Sequence, residues 1–412
     1  MRNFPLLTDQ GELQGATLAH LDKRYITTAT PRSFGGAGDG ATDDTAALRA
    51  WLAAPGTFKQ LPEGTWVLSA DLKSDVDGLV LVGPGTIRAT KPEGTPLTLS
   101  GAGVTVQGLR VDGTNNARYG IRATGENHTI EHCVFENFRA TQSTARGIDS
   151  STVGRVIIRD NVIRNVVAVG NTSAGDTNGM CRGIVLHSPD NKTAPAICTG
   201  NLVENIGGEE SDAIAVLYSN AVSEDDPYEQ GWTRIASNVI RNCGRRHIKI
   251  QGSDIWVDSN WCYNLPGYAQ QNPSAVIDIV QGNRVRVTDN LVKEAGNTAP
   301  MSIAGPSSSL RITDIEISGN RFEEGDNSSP VVYVVNADRV SITRNTMLGG
   351  KHYVSGGSCA DLVIAYNDCR AGDTTNPAFN FTSSGSGKVR FNTVPTGRAV
   401  GTATNIVFEG NA

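Results

Sequence analysis

Clustered charge is scarce in this chain. Charged residues fill 19% of its 412 positions, below the ~25% of an average protein, and the 36 basic and 42 acidic residues are spread without long runs. Non-specific nucleic-acid binding needs Lys and Arg gathered along a phosphate track, so no nucleic-acid partner is expected. Seven cysteines, an odd number with no C-x-x-C spacing, argue against a disulfide framework or a zinc site. They read as buried free thiols, and neither metal nor cofactor is expected. No segment approaches the roughly 18 apolar residues of a membrane-spanning helix, so no such helix and no membrane insertion are expected. Met1–Leu21 lacks the apolar run of a signal peptide. Long Leu/Ala/Glu/Lys stretches are also missing. Gly, at 46 residues, is abundant, and Val and Ile dominate the apolar set, a balance that favours short strands joined by turns.

What is present is a repeat. From about residue 104 one phrase recurs: β-branched, any, apolar, any, any, Asn, any, apolar. It reads VIIRDNVI at 156–163, TRIASNVI at 233–240, IWVDSNWC at 255–262, VRVTDNLV at 285–292 and IEISGNRF at 315–322. It continues as VSITRNTM at 340–347, LVIAYNDC at 362–369 and IVFEGN at 406–411, with AICTGNLV at 196–203 a looser copy. The registered asparagines are Asn161, Asn201, Asn238, Asn260, Asn290, Asn320, Asn345 and Asn367, with Asn411 closing the series; the 206 residues from Asn161 to Asn367 make seven turns of about 29. A second short strand lies between phrases, as in RGIDSS, RGIVLHS, DAIAVLYS, RHIKIQG and AVIDIVQG. Period-2 alternation in such short segments means one face in and one face out. Stacked turns of this length form a parallel β-helix, an all-β solenoid whose rungs lie about 4.8 Å apart. Asn suits its corners because it tolerates the left-handed conformation and can bond the same Asn on adjacent rungs. A second column follows four residues on: Asn137, Asn165, Asn205, Asn242 and Asn264.

The N-terminal part differs. Ala16–Tyr25 has the pattern of a short helix, and Thr42–Ala53 reads as an amphipathic one with Thr42 or Asp43 as N-cap and Leu48, Trp51 and Leu52 on one face. An open parallel stack exposes its first rung, and this helix is the expected lid.

The stretch SFGGAGDGATDDTAALRAWL at 33–52, followed by LPEGTWVL at 61–68, resembles the opening of the pectate-lyase-like right-handed parallel β-helix superfamily, in the version found in phage tailspikes and capsule depolymerases. The resemblance implies three parts: a particle-attachment segment over 1–32, a cap and first coils over 33–103, and the β-helix over 104–412. It further implies a homotrimeric virion protein that joins a phage tail or baseplate protein through its N-terminal segment. Such a protein binds, and usually cleaves, a bacterial surface polysaccharide, capsule or O-antigen, outside the host cell. The chain departs from that pattern by ending on a rung, Ile406–Ala412, without a separate trimerisation domain. In that family the motif caps the helix, so Asp39, Asp43 and Asp44 are read as turn and cap residues.

Glycoside cleavage uses two carboxyl groups flanking the bond, whereas uronate elimination uses a base beside cations. Aligning the second strands on Ile148, Ile184, Ile214, Ile248 and Ile277 predicts that Asp149, Val185, Ala215, Lys249 and Asp278 point outward. The residues before them, Gly147, Gly183, Ala213, His247 and Val276, are also predicted outward, and His187, Leu217, Gln251 and Val280 three after. This brings His247, Lys249 and Asp278 together, with Glu209, Glu210 and Asp212 entering one rung and Arg245 and Arg246 the next. Gly183, Ala213 and Ala215 are expected to leave a shallow trough. Glu210 or Asp212 with Asp278 form the expected acid/base pair, assisted by His247 and Lys249. Seven of the fourteen Trp and Tyr residues fall between 218 and 268, and sugar rings stack on such faces. Tyr218, Tyr228, Trp232, Trp256 and Tyr268 are therefore expected substrate contacts, with Glu209, Arg245, Arg246, His187 and Asp149; Trp261 fits a core or interface place as well. The loop Glu224–Asp226 is a weak calcium candidate. Three functions fit: a depolymerase, hydrolase ahead of lyase; a non-catalytic receptor-binding spike; and a bacterial lyase or epimerase working through Lys249, His247 and the arginines.

Overall fold

The computed structural model describes residues 29–141, 143–151, 154–169, 179–188, 195–218, 232–270, 272–293, 299–324, 328–381, 385–401, 403 and 405–411. The helix expected at Ala16–Tyr25 and the loop Glu224–Asp226 lie outside these residues, as does Tyr228.

Each coil carries three strands, consistent with the two or more that the repeat calls for, and the pairings are parallel. Sheet I stacks Tyr119–Ala123, Ala145–Ser151, Met180–Ser188, Glu210–Tyr218, Arg246–Gln251 and Ile277–Gln281. Sheet II stacks His128–Glu131, Val156–Arg159, Ala196–Thr199, Thr233–Ala236, Ile255–Asp258, Val285–Thr288 and Ile312–Ser318. Sheet III runs from Asp39–Asp43 to Asp368–Arg370 in 13 strands. Farther along, the long strand Val332–Thr343 passes through both sheet I and sheet II. The repeated phrase therefore straddles a corner: VIIR belongs to sheet II, and Val162 already opens a sheet III strand. Crossovers between parallel strands are right-handed for steric reasons, and the fold is a right-handed parallel β-helix.

The core is built by stacking like on like. Ile121, Ile148, Ile184, Ile214, Ile248 and Ile277 follow one another in register with no accessible surface; each contributes about 1.5–3 kcal/mol of apolar burial. All seven cysteines are free and buried. The helix Thr45–Ala53 places Leu48, Trp51 and Leu52 in the same core, as a lid would. It starts three residues later than expected, with Asp44 at its N-cap position. The buried Asp44 carboxylate instead accepts N–H bonds from Ala37, Gly38 and Val67. Gly38 (φ +62°) packs so closely on Trp66 that a Cβ there would meet the indole at 2.9 Å. Asp43 accepts from Thr45 and Ser69, and Asp39 closes a turn on Ala41 and Thr42. All three aspartates serve structure.

The asparagine ladder is continuous from Asn161 to Asn411 and includes Asn392, which the repeat reading did not register. Each side chain donates to the next: Asn161 Nδ2 to Asn201 Oδ1 at 3.0 Å, Asn238 to Asn260 at 2.9 Å, and Asn367 to Asn392 at 2.9 Å. The left-handed conformation belongs to the residue before the ladder asparagine, not to the asparagine itself: Asp160, Ser237, Ser259, Asp289, Arg344, Tyr366 and Phe391 all have φ of 53–59°. In the second column the asparagines do adopt it, with Asn137, Asn165, Asn205 and Asn242 at φ 56–60° and bonded in series. Asn264 departs from the column and accepts from the Cys243 N–H.

Candidate active site on sheet I

The strands of sheet I bend as they enter the sheet, and the bend sets which side chains face out. The residue before each aligned Ile faces inward, contrary to expectation. A Cβ at Gly147 would meet Ile163 at 2.5 Å and one at Gly183 would meet Val203 at 2.6 Å, both on sheet III. Ala213, His247 and Val276 have no accessible surface. His247 is thus a core residue: its Nε2 lies 3.1 Å from the Tyr263 carbonyl, to which Nε2–H donates. Burial pushes the imidazole down to about 4, so the ring is neutral. It cannot touch a polymer. The expected trough is also filled, since Val185 and Ala215 are buried on the outer side.

Two outer registers, three residues apart along each strand, carry the charge. One runs Arg146, Arg182, Asp212, Arg246; the other runs Arg122, Asp149, Val185, Ala215, Lys249, Asp278. A simple strand would put residues three apart on opposite faces, but the inward pair at the bend restores both to the outside. Arg246 is the hub. Its Nε donates to Asp278 Oδ2 at 2.7 Å, its Nη1 to Asp212 Oδ1 at 3.3 Å, and Glu210 Oε2 lies 3.8 Å away. Arg182 closes on the other oxygen of Asp212 at 3.3 Å, and Ser274 donates to Asp278 at 3.3 Å. Glu210 also pairs with Arg245. One rung group below, Asp149 is held by Arg146 at 2.6 Å and Arg122 at 3.4 Å.

Burial divides these residues by role. Asp149 and Asp212 have no exposed surface, and Arg246 retains 7%. Asp149, expected to contact substrate, is instead closed in by Arg146 and Arg122, whereas Arg246, also expected there, keeps about as small an edge at the surface as Asp278 and gathers the acidic side chains around it. The Glu210 side chain is 38% exposed, Lys249 is partly exposed, and Asp278 keeps 4% at the margin. Glu209 is exposed on the corner entering the rung. Burial holds the Arg182 guanidinium below its ordinary value despite Asp212. For Arg246 burial acts in the same sense, but the two aspartates outweigh it and raise it. Arg245 is lowered by burial and by Arg246 beside it. Lys249 falls to about 8, burial outweighing Asp212, with Arg246, Arg182 and Arg245 adding repulsion. The outcome is a cation-rich patch whose lysine can gain or lose a proton near pH 8.

The aromatic residues do not gather here. Trp256 lies on sheet II and Trp232 on the corner leading into it, where they line a separate groove. Trp261 is exposed on sheet III and packs at 4.8 Å on Tyr263. Tyr268 sits on the corner after sheet III, its phenol raised chiefly by burial. Tyr218 ends the strand Glu210–Tyr218. His187 does lie on the outer side of sheet I, its Nδ1 3.3 Å from Ser151 Oγ. A register shift pairs Gln251 with Gln281 rather than Val280. Sequence reasoning missed Arg146 and Arg182; the recurring Arg-Gly-Ile at 146–148 and 182–184, beside Arg-His-Ile at 246–248, was their signal.

No protein-family model matches the chain, and no curated protein does. Solved structures do match. The A-module of the mannuronan C-5 epimerase AlgE4 from Azotobacter vinelandii is 14% identical with a TM-score of 0.56, covering 89% of this chain and 99% of that one. The surface adhesin PfbA of Streptococcus pneumoniae is 14% identical at a TM-score of 0.54, with 87% and 93% covered. The catalytic unit of the GH87 α-1,3-glucanase from Streptomyces thermodiastaticus is 16% identical at 0.51, with 93% and 68% covered. At these identities the likeness establishes the parallel β-helix fold alone.

Proposed function

We propose that this chain is a polysaccharide-active enzyme that cleaves a bacterial surface polysaccharide by hydrolysis, working from the outer side of sheet I. The carrying observation is that Glu210 and Asp278 flank Arg246 at 3.8 and 2.7 Å, with Lys249 paired in register to Asp278. Glu210 and Asp278 supply the two carboxyl groups, Lys249 is the proton carrier between them, and Arg182, Arg246 and the buried Asp212 fix their geometry. Two of the structural neighbours, a glucanase and a mannuronan epimerase, act on polysaccharides by name, which supports this reading. The opening motif at 33–52 supports a tailspike setting, with a homotrimer attached to the virion through residues 1–32. A trimer mass in light scattering tests that part.

Elimination or epimerisation of a uronate is a second reading. The excess of cations favours it: Arg182, Arg245, Arg246 and Lys249 against Glu210, Asp212 and Asp278. Incubation with capsule or lipopolysaccharide separates the readings. Reducing ends without ultraviolet absorbance of an unsaturated sugar mark hydrolysis; both together mark elimination. The absence of both signals refutes cleavage and leaves epimerisation or binding alone. Glu210→Gln, Asp278→Asn and Lys249→Met should each lower kcat by about 10²–10⁴-fold with folding intact. Full activity in all three would remove the site from sheet I.

A further inference from the structure

The second face of the coil carries its own groove. It measures about 590 Å³ and runs along sheet II. Its floor is the outward register Trp256, Arg286, Glu316, Ser341 on four successive rungs. Its wall is the corner just before those strands, where Asp254, Arg284, Asp314 and Arg339 repeat at the same four rungs, each in the left-handed conformation. Trp232, one rung earlier at that corner, closes one end. None of the ionic cluster on sheet I takes part.

Two features of the lining specify a ligand. The first is rigid aromatic surface. The Trp256 indole is fixed by donating Nε1–H to Thr288 Oγ1 at 2.8 Å, with the Arg234 guanidinium 4.7 Å from its ring centre. Trp232 is 44% exposed, an indole surface that water solvates poorly and that the C–H face of a sugar covers well. The second is charge that cancels rung by rung. Arg284 grips Asp254 through two bonds of 2.8 and 2.9 Å, and Arg339 grips Asp314 at 2.6 and 2.7 Å. Arg286 lies 3.4 Å from Glu316. Three arginines face three carboxylates, so the groove offers rows of donors and acceptors without net charge. That chemistry suits hydroxyl groups and gives a polyanion nothing. Rungs about 4.8 Å apart also repeat at nearly the advance of one sugar unit along an extended glycan.

We propose that this groove is a second, non-catalytic carbohydrate site that holds a neutral stretch of oligosaccharide. It lies on a different face from sheet I and stands or falls independently of the cleavage assigned there. A glycan seated here keeps a long polymer on the coil between encounters with the reactive face.

The test titrates the whole chain with neutral hexasaccharides of glucose, galactose, mannose and N-acetylglucosamine, and with hexamannuronate and hexagalacturonate, by tryptophan fluorescence and calorimetry. At least one neutral hexasaccharide should bind, and Trp232→Ala and Trp256→Ala should each weaken it tenfold or more while leaving cleavage of short substrates unchanged. Asp278→Asn should leave this binding intact even where cleavage is lost, which separates the groove from the reactive face. No neutral ligand bound, acidic ligands only, or binding indifferent to both tryptophans would each overturn the proposal. So would a change of sedimentation coefficient in Trp256→Phe and Arg286→Glu, because the groove would then be a subunit contact. Trp256→Phe keeps an aromatic floor and guards against loss by misfolding.

Discussion

Lys249 offers the sharpest quantitative handle on the sheet I cluster. Its ammonium is partly buried among Arg182, Arg245 and Arg246, with Asp212 as the compensating charge, and titrates near 8 rather than 10.5. That difference corresponds to about 3 kcal/mol by which folding disfavours the charged lysine. In the unfolded chain the amine stays protonated to about 10.5, so between pH 8 and 10.5 the unfolded state binds more protons. Stability therefore rises with pH through that window, and the full penalty is present below pH 8. Lys249→Met keeps the aliphatic stem and removes the charge, so at pH 7 it should stabilise the protein by 1–3 kcal/mol, about 1–3 being what remains after partial solvent screening. The gain should fade as pH approaches 10.5. Urea denaturation of both proteins at pH 7 and pH 10, followed by fluorescence, measures the difference, and amine-reactivity labelling gives the titration directly. If Lys249→Met proves less stable than the parent at pH 7, or if the amine titrates above 10, the account of this cluster is wrong.

Other outcomes follow from the same structure. His247, held neutral with a value near 4 against 6.5 when unfolded, supports the fold fully above pH 6.5 and loses that support as pH falls toward 4. His247→Gln should flatten this acid limb by roughly 3 kcal/mol in denaturation midpoints. Asn260 makes five ladder bonds, donating to Ile235, Asp258 and Asn290 and accepting twice from Asn238. Asn260→Ala should therefore cost about 3–5 kcal/mol, against about 2 kcal/mol for Asn205→Ala at the exposed member of the second column, where Ala must also hold φ 58°; chemical denaturation distinguishes the two.

The solenoid was legible because its signals are local and repeated: apolar alternation gave the strands, and the asparagines gave the rung count. Asn392 escaped because its copy, GKVRFNTV, opens on Gly387 where the registered phrases open on a β-branched or other apolar residue. The outward reading of Asp149, Lys249 and Asp278 was sound in direction but missed their burial, which depends on arginines from neighbouring rungs. His247 was misplaced because period-2 counting assumes an unbroken strand, and the bend at 146–148, 182–184, 212–214 and 246–248 puts two consecutive residues inside. The aromatics misled for a geometric reason. Fifty residues of a coil pass around all three faces, so closeness in sequence says little about shared direction; Trp232 and Trp256 share a side because they sit one coil apart, whereas Trp261 has already turned onto sheet III.

The contrast between the two faces is an argument about where chemistry belongs. On sheet II the acid–arginine pairs are solvated and balanced, and each exposed pair contributes at most about 1 kcal/mol. On sheet I Asp212, Arg182 and Arg246 are withdrawn from water, where desolvation rivals the attraction between them and well-packed apolar residues would serve stability as well or better. Val185 and Ala215, in the same outer register as Lys249 and Asp278, show that this face accepts apolar residues. The buried charges are therefore not what the fold needs at these rungs. What they provide is a lysine brought near neutrality and two carboxylates fixed about one arginine, an arrangement useful for moving protons and of little use for holding a coil together.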